Sequence, residues 1–202
     1  MVVAGVILAG GAGRRMGGLD KAALRVGGIA LLDRVLAAAR PVCDRLVVVG
    51  PARATDVAGV EFVSEAAPGG GPVPAILAGV EAAGPGCDVV LVMAVDLPLL
   101  TTRHLRRLLT ALDHSGGGAA AAAEEDGPNP LLAAYRVSDL SARAAALDLG
   151  PGAAGRRLLP PEPMMVDLGP ATLNVNRPED LAAAEILAAH DDQPPRSAPE
   201  TP

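Results

Sequence analysis

"VVAGVILAGGAGRRMGGLDK", residues 2–21, decides how the chain is read. Its first seven residues form a continuous apolar, largely branched run without polar alternation. That is the pattern of a strand buried on both faces. The run then breaks into a loop holding Gly10, Gly11, Gly13, Gly17 and Gly18, together with Arg14, Arg15 and Lys21. Glycine permits positive φ and lets a ligand approach the main chain. Successive backbone N–H groups in such a loop form an anion-binding concavity. Arginine adds a fork that matches phosphate oxygens. A buried strand feeding this loop reads as a phosphate-binding element, and a solvated tight turn is the plainer alternative.

Working outward, strands and helices alternate. "IALLDRVLAAA" sets Leu32, Val35, Leu36 and Ala39 on one helical face. "RLVVVG" and "VEFV" read as strands, and "PVPAILAGVEAA" as a helix with proline in its first turn. "DVVLVMAVD" is the strongest strand and ends on Asp96. "TTRHLRRLLTALDH" is amphipathic, with Thr101 or Thr102 as N-cap and His104 on its exposed face. "GAAAAA" and "LLAAYRV" read as a later strand pair, and "SDLSARAAALDL" as a helix. In "NVNRPEDLAAAEILAAH", Asn176 and Glu179 have the spacing of a capping box. This alternation predicts an α/β fold: a mostly parallel, Rossmann-like sheet between two helical layers, α/β/α. One domain is expected over residues 1–190, with a polar, proline-rich tail at 191–202 expected to be disordered. Ligands of such sheets bind at the carboxyl ends of strands, which singles out Leu8–Gly13 and Val95–Pro98.

Composition removes several classes of function. The chain has 202 residues and a net charge of −6, so it lacks the basic field of a nucleic-acid binder. Phe62 and Tyr135 are its two aromatics, too few for a base-stacking platform. Cys43 and Cys87 fit neither a disulfide framework nor a zinc site, and agree with a reducing cytoplasm. The N-terminal apolar run stops at Gly10, so no membrane span is expected. The familiar phosphate loops fail at named positions. Lys21 follows Asp20 where the Walker pattern needs glycine, and Ala22 stands at the magnesium-binding hydroxyl. Met16 stands at the third glycine of the dinucleotide fingerprint.

The loop resembles the signature of the molybdenum cofactor guanylyltransferases (MobA-like nucleotidyltransferases), within the wider nucleotide-diphospho-sugar transferase type. The shared pattern L-A-x-G-x-x-x-R-M, then a doubled glycine and x-D-K, is present. "EAAPGGGPVPAILAG", "AVDLPLL", "NPLLAAY" and "NVNRPEDL" follow in the family's order. The resemblance implies that GMP passes from GTP to the phosphate of a molybdopterin cofactor carrying molybdenum, with release of pyrophosphate. GTP and the molybdopterin cofactor are the implied partners. Whether the cofactor arrives bare or on a delivering or molybdoenzyme-maturation protein stays open. A cytoplasmic, Mg2+-dependent enzyme without nucleic-acid or membrane partners is expected.

By the same resemblance, Arg15, Lys21 and Asp96 are the catalytic set. Arg15 and Lys21 neutralise phosphate charge, and Asp96 holds Mg2+. A carboxylate at a buried strand's end needs a partner, and magnesium prefers oxygen ligands. Leu8, Ala9, Gly10, Gly11 and Gly13 meet the nucleotide. Glu65 is either a base or ribose contact or a solvated loop acid. Asn129, Pro130, Asn174 and Asn176 fall on the acceptor side, and Asn176 is also the helix cap. Arg14 is either a further cation for the phosphates or a solvated residue. Gly50 stands where some relatives carry asparagine. No general base is required, because a phosphate monoester with a second pKa of about 6 is largely ionised at neutral pH. The alternatives are a sister transferase using CTP, a transferase acting on another phosphorylated acceptor such as a sugar phosphate, and a non-catalytic nucleotide-binding regulator.

Overall fold

The computed structural model describes residues 1–10, 20–65 and 69–191. Its strands are β1 (Val3–Leu8), β2 (Arg25–Val26), β3 (Ile29–Ala30), β4 (Arg45–Val49), β5 (Val60–Val63), β6 (Val89–Ala94), β7 (Ala119–Glu124), β8 (Gly127–Arg136) and β9 (Met164–Val166). Its α-helices are α1 (Leu31–Ala39), α2 (Pro72–Ala83), α3 (Thr102–Ser115), α4 (Val137–Ala146) and α5 (Pro178–Asp191). Seven strands form one sheet in the order β5-β4-β1-β6-β8-β7-β9, while β2 and β3 form a separate hairpin. In the large sheet β8 alone runs against the others. The expected mostly parallel α/β/α architecture is what the chain adopts.

The sheet is two-sided because its strands alternate apolar side chains to both faces. Val3 and Ile7 of β1, with Leu46, Val48, Leu91 and Met93, meet α1 and α3 through Leu32, Val35, Leu36, Leu105, Leu108 and Leu112. Ala4 and Val6, with Val47, Val49, Val90 and Val92, meet α2 and α4 on the other face. At Gly79 the closeness of α2 is visible: a Cβ there would lie 2.3 Å from Val6 Cγ1. A third cluster stands off the sheet. Val26 and Leu31 of the hairpin region pack against Val175, Ala184 and Ala188, which fastens α5 to the start of the chain.

Two local expectations are corrected. His104 is half-buried, and its Nδ1 accepts from the Thr101 N–H (3.2 Å), so it caps its own helix instead of facing solvent. Asn176 does not cap α5 with its side chain. Asp180 reaches back and accepts the N–H groups of Asn176 and Arg177, both at 2.8 Å. A first-turn carboxylate satisfies those donors and suits the positive end of the helix dipole. The Asn176 side-chain oxygen accepts from Lys21 instead. Among the described residues no helix is long and apolar enough to cross a membrane.

Candidate active site

The carboxyl edge of the sheet is built by main-chain bonds between neighbouring strands. Ala9 N–H donates to the Val49 carbonyl (2.9 Å), Val95 N–H to Leu8 (3.1 Å) and Gly50 N–H to Val63 (2.8 Å). Leu8–Gly10, Gly50 and Asp96 are therefore held side by side. Gly50 abuts the turn itself: at φ 152°, a Cβ on it would stand 2.8 Å from the Ala9 carbonyl carbon. An asparagine cannot occupy that position without moving the backbone, which accounts for the glycine here.

Lys21 faces Asp96 across this edge. It opens a short 3-10 turn, Lys21–Ala23, seated by the buried Ala22. Its ammonium donates to Asp96 Oδ2 at 2.8 Å and to Asn176 Oδ1 at 2.7 Å. The side chains are only 23% (Lys21) and 16% (Asp96) exposed, so solvent screens this pair less than a surface pair. The turn after Asp96 is anchored twice. Val175 N–H donates to the Asp96 carbonyl (2.9 Å), and Arg34 donates to the Pro98 carbonyl (2.8 Å) and the Val26 carbonyl (3.0 Å). Residues far apart in sequence thus meet at one cation.

Glu65 lies beyond β5, near Gly10: its Oε1 stands 3.9 Å from where a Gly10 Cβ would be. Oε1 accepts from Gly69 N–H at 3.2 Å. Oε2 is buried and has no hydrogen-bond partner among the described residues. Buried carboxylate oxygens are rarely left this way, because an unmade bond there costs about 1–3 kcal/mol. Asn129 and Pro130 lie on β8, just beyond Leu132, the partner of Met93 in β6. The Asn129 amide is engaged locally, donating to Glu124 Oε1 (2.6 Å) and accepting from Leu131 N–H (2.8 Å). Pro130 borders the start of α2, since a Cβ on Gly155 would touch both Pro72 and Pro130. Asn174, two residues before Asn176, donates to the Thr172 carbonyl at 3.1 Å. Gly11, Gly13, Arg14 and Arg15 lie outside the described residues.

Two participants carried no signal in the sequence. Arg34 sits on an amphipathic helix, where a charged residue ordinarily marks the solvated face. Arg53 lies in coil after β4, yet it grips Asp20 with two bonds of 2.7 Å. Neither belongs to a periodic pattern or to a motif.

A mostly parallel sheet with cationic, carboxylate and amide groups gathered at its carboxyl edge has the place and chemistry of a ligand site in an α/β fold. Residues 5–162 match the family described as the MobA-like NTP transferase domain, and the chain belongs to that family. It is 37% identical to a molybdenum cofactor guanylyltransferase of Cereibacter sphaeroides, over 93% of this chain and 97% of that one. In fold it is similar to the molybdopterin-guanine dinucleotide biosynthesis protein A of Archaeoglobus fulgidus, with a TM-score of 0.69 and 23% identity, covering 93% of this chain and 99% of that one. It is about as similar to the 2-C-methyl-D-erythritol 4-phosphate cytidylyltransferase of Thermus thermophilus, with a TM-score of 0.68 and 24% identity, covering 94% and 100%. The fold alone therefore does not choose the nucleotide.

Proposed function

We propose that the chain transfers GMP from GTP to the phosphate of a molybdopterin cofactor carrying molybdenum. An acceptor phosphate oxygen bonds to the α-phosphorus of GTP, the bond to the bridging oxygen breaks, and pyrophosphate leaves with the electron pair. The observation that carries this reading is the meeting of Lys21 with Asp96 and Asn176, at 2.8 and 2.7 Å, at the strand ends where such folds bind ligands. Phosphoryl chemistry of this kind asks the protein mainly for alignment and charge neutralisation. Lys21 supplies a cation at the end of the glycine-rich loop, and Arg15 a second from within it. The amides of Gly11 and Gly13 would cradle phosphate oxygens.

The donor set fits magnesium. Asp96 and Asn176 offer hard oxygen atoms, and one carboxylate suffices for an ion that fills its shell with phosphate oxygens and water. Among the described residues no cluster of three or more His, Cys, Asp or Glu offers a complete protein cage. Asp96 would hold the ion, which supplies positive charge to the triphosphate. Asn174 and Asn176, from the C-terminal segment, and Asn129 and Pro130, from β8, border the acceptor side. Guanine is favoured by Glu65. Its Oε2, without a partner among the described residues, suits the adjacent N1–H and N2–H₂ donors of guanine, two donors on one edge where cytosine presents one.

The test supplies the protein with each of the four triphosphates, magnesium and either molybdopterin carrying molybdenum or a sugar phosphate, and identifies the product by mass. A guanine dinucleotide formed from GTP alone supports the proposal. Turnover with CTP assigns the sister reaction. Transfer only to a sugar phosphate overturns the acceptor, and GTP binding without any product overturns the enzyme reading.

A further inference from the structure

Arg53 directs its guanidinium to the Asp20 carboxylate, beside Lys21, and to a carbonyl of its own segment. Nε donates to Asp20 Oδ2 and Nη2 to Asp20 Oδ1, both at 2.7 Å, while Nη1 donates to the Pro51 carbonyl at 3.0 Å. The Arg53 side chain is 20% exposed although its partner is 45% exposed, so the arginine is the shielded member of the pair. Asp20 Oδ1 also accepts from Ala22 N–H at 3.2 Å and thereby caps the turn that begins with Lys21. A continuous chain of contacts runs from Arg53 through Asp20 and the turn to the Lys21 ammonium, and from there to Asp96 and Asn176. Three residues earlier in the same short segment, Gly50 abuts Ala9–Gly10. A parallel two-bond fork fixes the plane of a carboxylate, which a single lysine ammonium cannot do. Asp20 remains open to solvent, which screens the pair, so the fork contributes geometry more than stability.

We propose that Arg53 is a positioning residue that holds Lys21 in register with Asp96 and Asn176 by fixing Asp20. This rests on Lys21 being the cation that meets the nucleotide's phosphates. A misplacement of about 1 Å at such a group costs up to about 100-fold in rate.

The experiment compares full-length wild type with Arg53→Ala, Arg53→Lys, Asp20→Asn and the Arg53→Ala/Asp20→Asn double variant. It reads calorimetric binding of Mg·GTP and of inorganic triphosphate, the kcat and KM for GTP, the acceptor KM, and Tm. Arg53→Ala is expected to weaken GTP and inorganic triphosphate alike by about tenfold and to raise the GTP KM in step, with the acceptor KM unchanged and Tm within about 3 °C of wild type. Arg53→Lys is expected to recover less than half of the loss on a logarithmic scale, and the double variant to be no worse than either single one. If Arg53→Ala lowers Tm further, the comparison is read from Arg53→Lys, which keeps the charge and the apolar stem. Wild-type binding by the Arg53 variants, additive losses in the double variant, or weakened GTP with unchanged inorganic triphosphate would each overturn the proposal while leaving the enzyme reading intact. Failure of the wild type to bind either probe removes the assigned role of Lys21, and this proposal with it.

Discussion

Lys21 faces a carboxylate and an amide oxygen at once, and the balance of charge among these three groups is where single substitutions speak. Asp96→Asn keeps the shape and removes the charge. The ammonium of Lys21 then faces two neutral oxygens, and the anionic ligand proposed for magnesium is gone. Magnesium-dependent turnover of GTP is expected to fall at least about 100-fold, as for other losses of preorganised charge at a reacting phosphate. Tm should hold within about 5 °C, because the strand beneath Asp96 is buried through its apolar side chains. Near-normal turnover in that variant removes Asp96 from the catalytic set. Cys43 gives a second test, in pH. Burial pushes its thiol from 9.0 up to about 12. The unfolded chain releases this proton near its ordinary pKa, while the folded chain retains it. Its contribution to stability is therefore complete below about pH 9 and is lost between about 9 and 12, by up to about 1.4 kcal/mol per pH unit. Urea unfolding across that range should show a shallower alkaline decline for Cys43→Ala than for wild type. Equal slopes would mean that the buried thiol is not held protonated.

Elements were legible in the sequence to the extent that their side chains repeat. β1 and β6 are long runs of aliphatics covered on both faces, and α3 keeps Leu105, Leu108 and Leu112 on one side. β2, β3 and β9 span two or three residues each, too few to display a period, and none was anticipated. β7 is written largely in alanine, a poor strand former by propensity. Its Ala119–Ala122 are fully buried or nearly so, and small side chains there let helices lie close over the sheet. The start of α5 misled for a related reason: Asn176 has the spacing of a cap, but the helix opens at Pro178, and it is Asp180 that reaches back to the N–H groups of Asn176 and Arg177. Close approach is also what Gly79 provides beneath α2. Gly79→Ala adds a methyl 2.3 Å from Val6 Cγ1, on a strand that cannot retreat. Overpacking of this kind is expected to cost about 1–3 kcal/mol, read from the shift in urea midpoint at unchanged m-value. A loss below about 0.5 kcal/mol would show that α2 can lift away freely.

At the scale of the whole molecule, the chain's two ends are joined through the site. Lys21 comes from the first loop, Asp96 from the middle of the sheet, and Asn176 from the segment leading into α5. The lysine and the aspartate were legible because each ends a recognisable motif. The way the C-terminal segment is fixed was not, since the Val175–Asp96 bond joins main-chain groups and leaves no trace in residue type. What holds Asn176 in place is the third apolar cluster, where Ala184 is fully buried beside Val26, Leu31 and Val175. This cluster is separate from the two that line the sheet, so it can be broken by itself. Ala184→Asp places an unpaired carboxylate there, at a cost of several kcal/mol that exceeds what so small a cluster returns. α5 is then expected to detach while the sheet persists. Far-UV circular dichroism should lose only a helix's share, amide exchange should quicken first in 24–31 and 178–189, and GTP turnover should fall at least about tenfold as Asn176 loses its place. If α5 exchanges freely and turnover survives, the C-terminal segment is a structural strap alone, and the site is complete with Lys21 and Asp96.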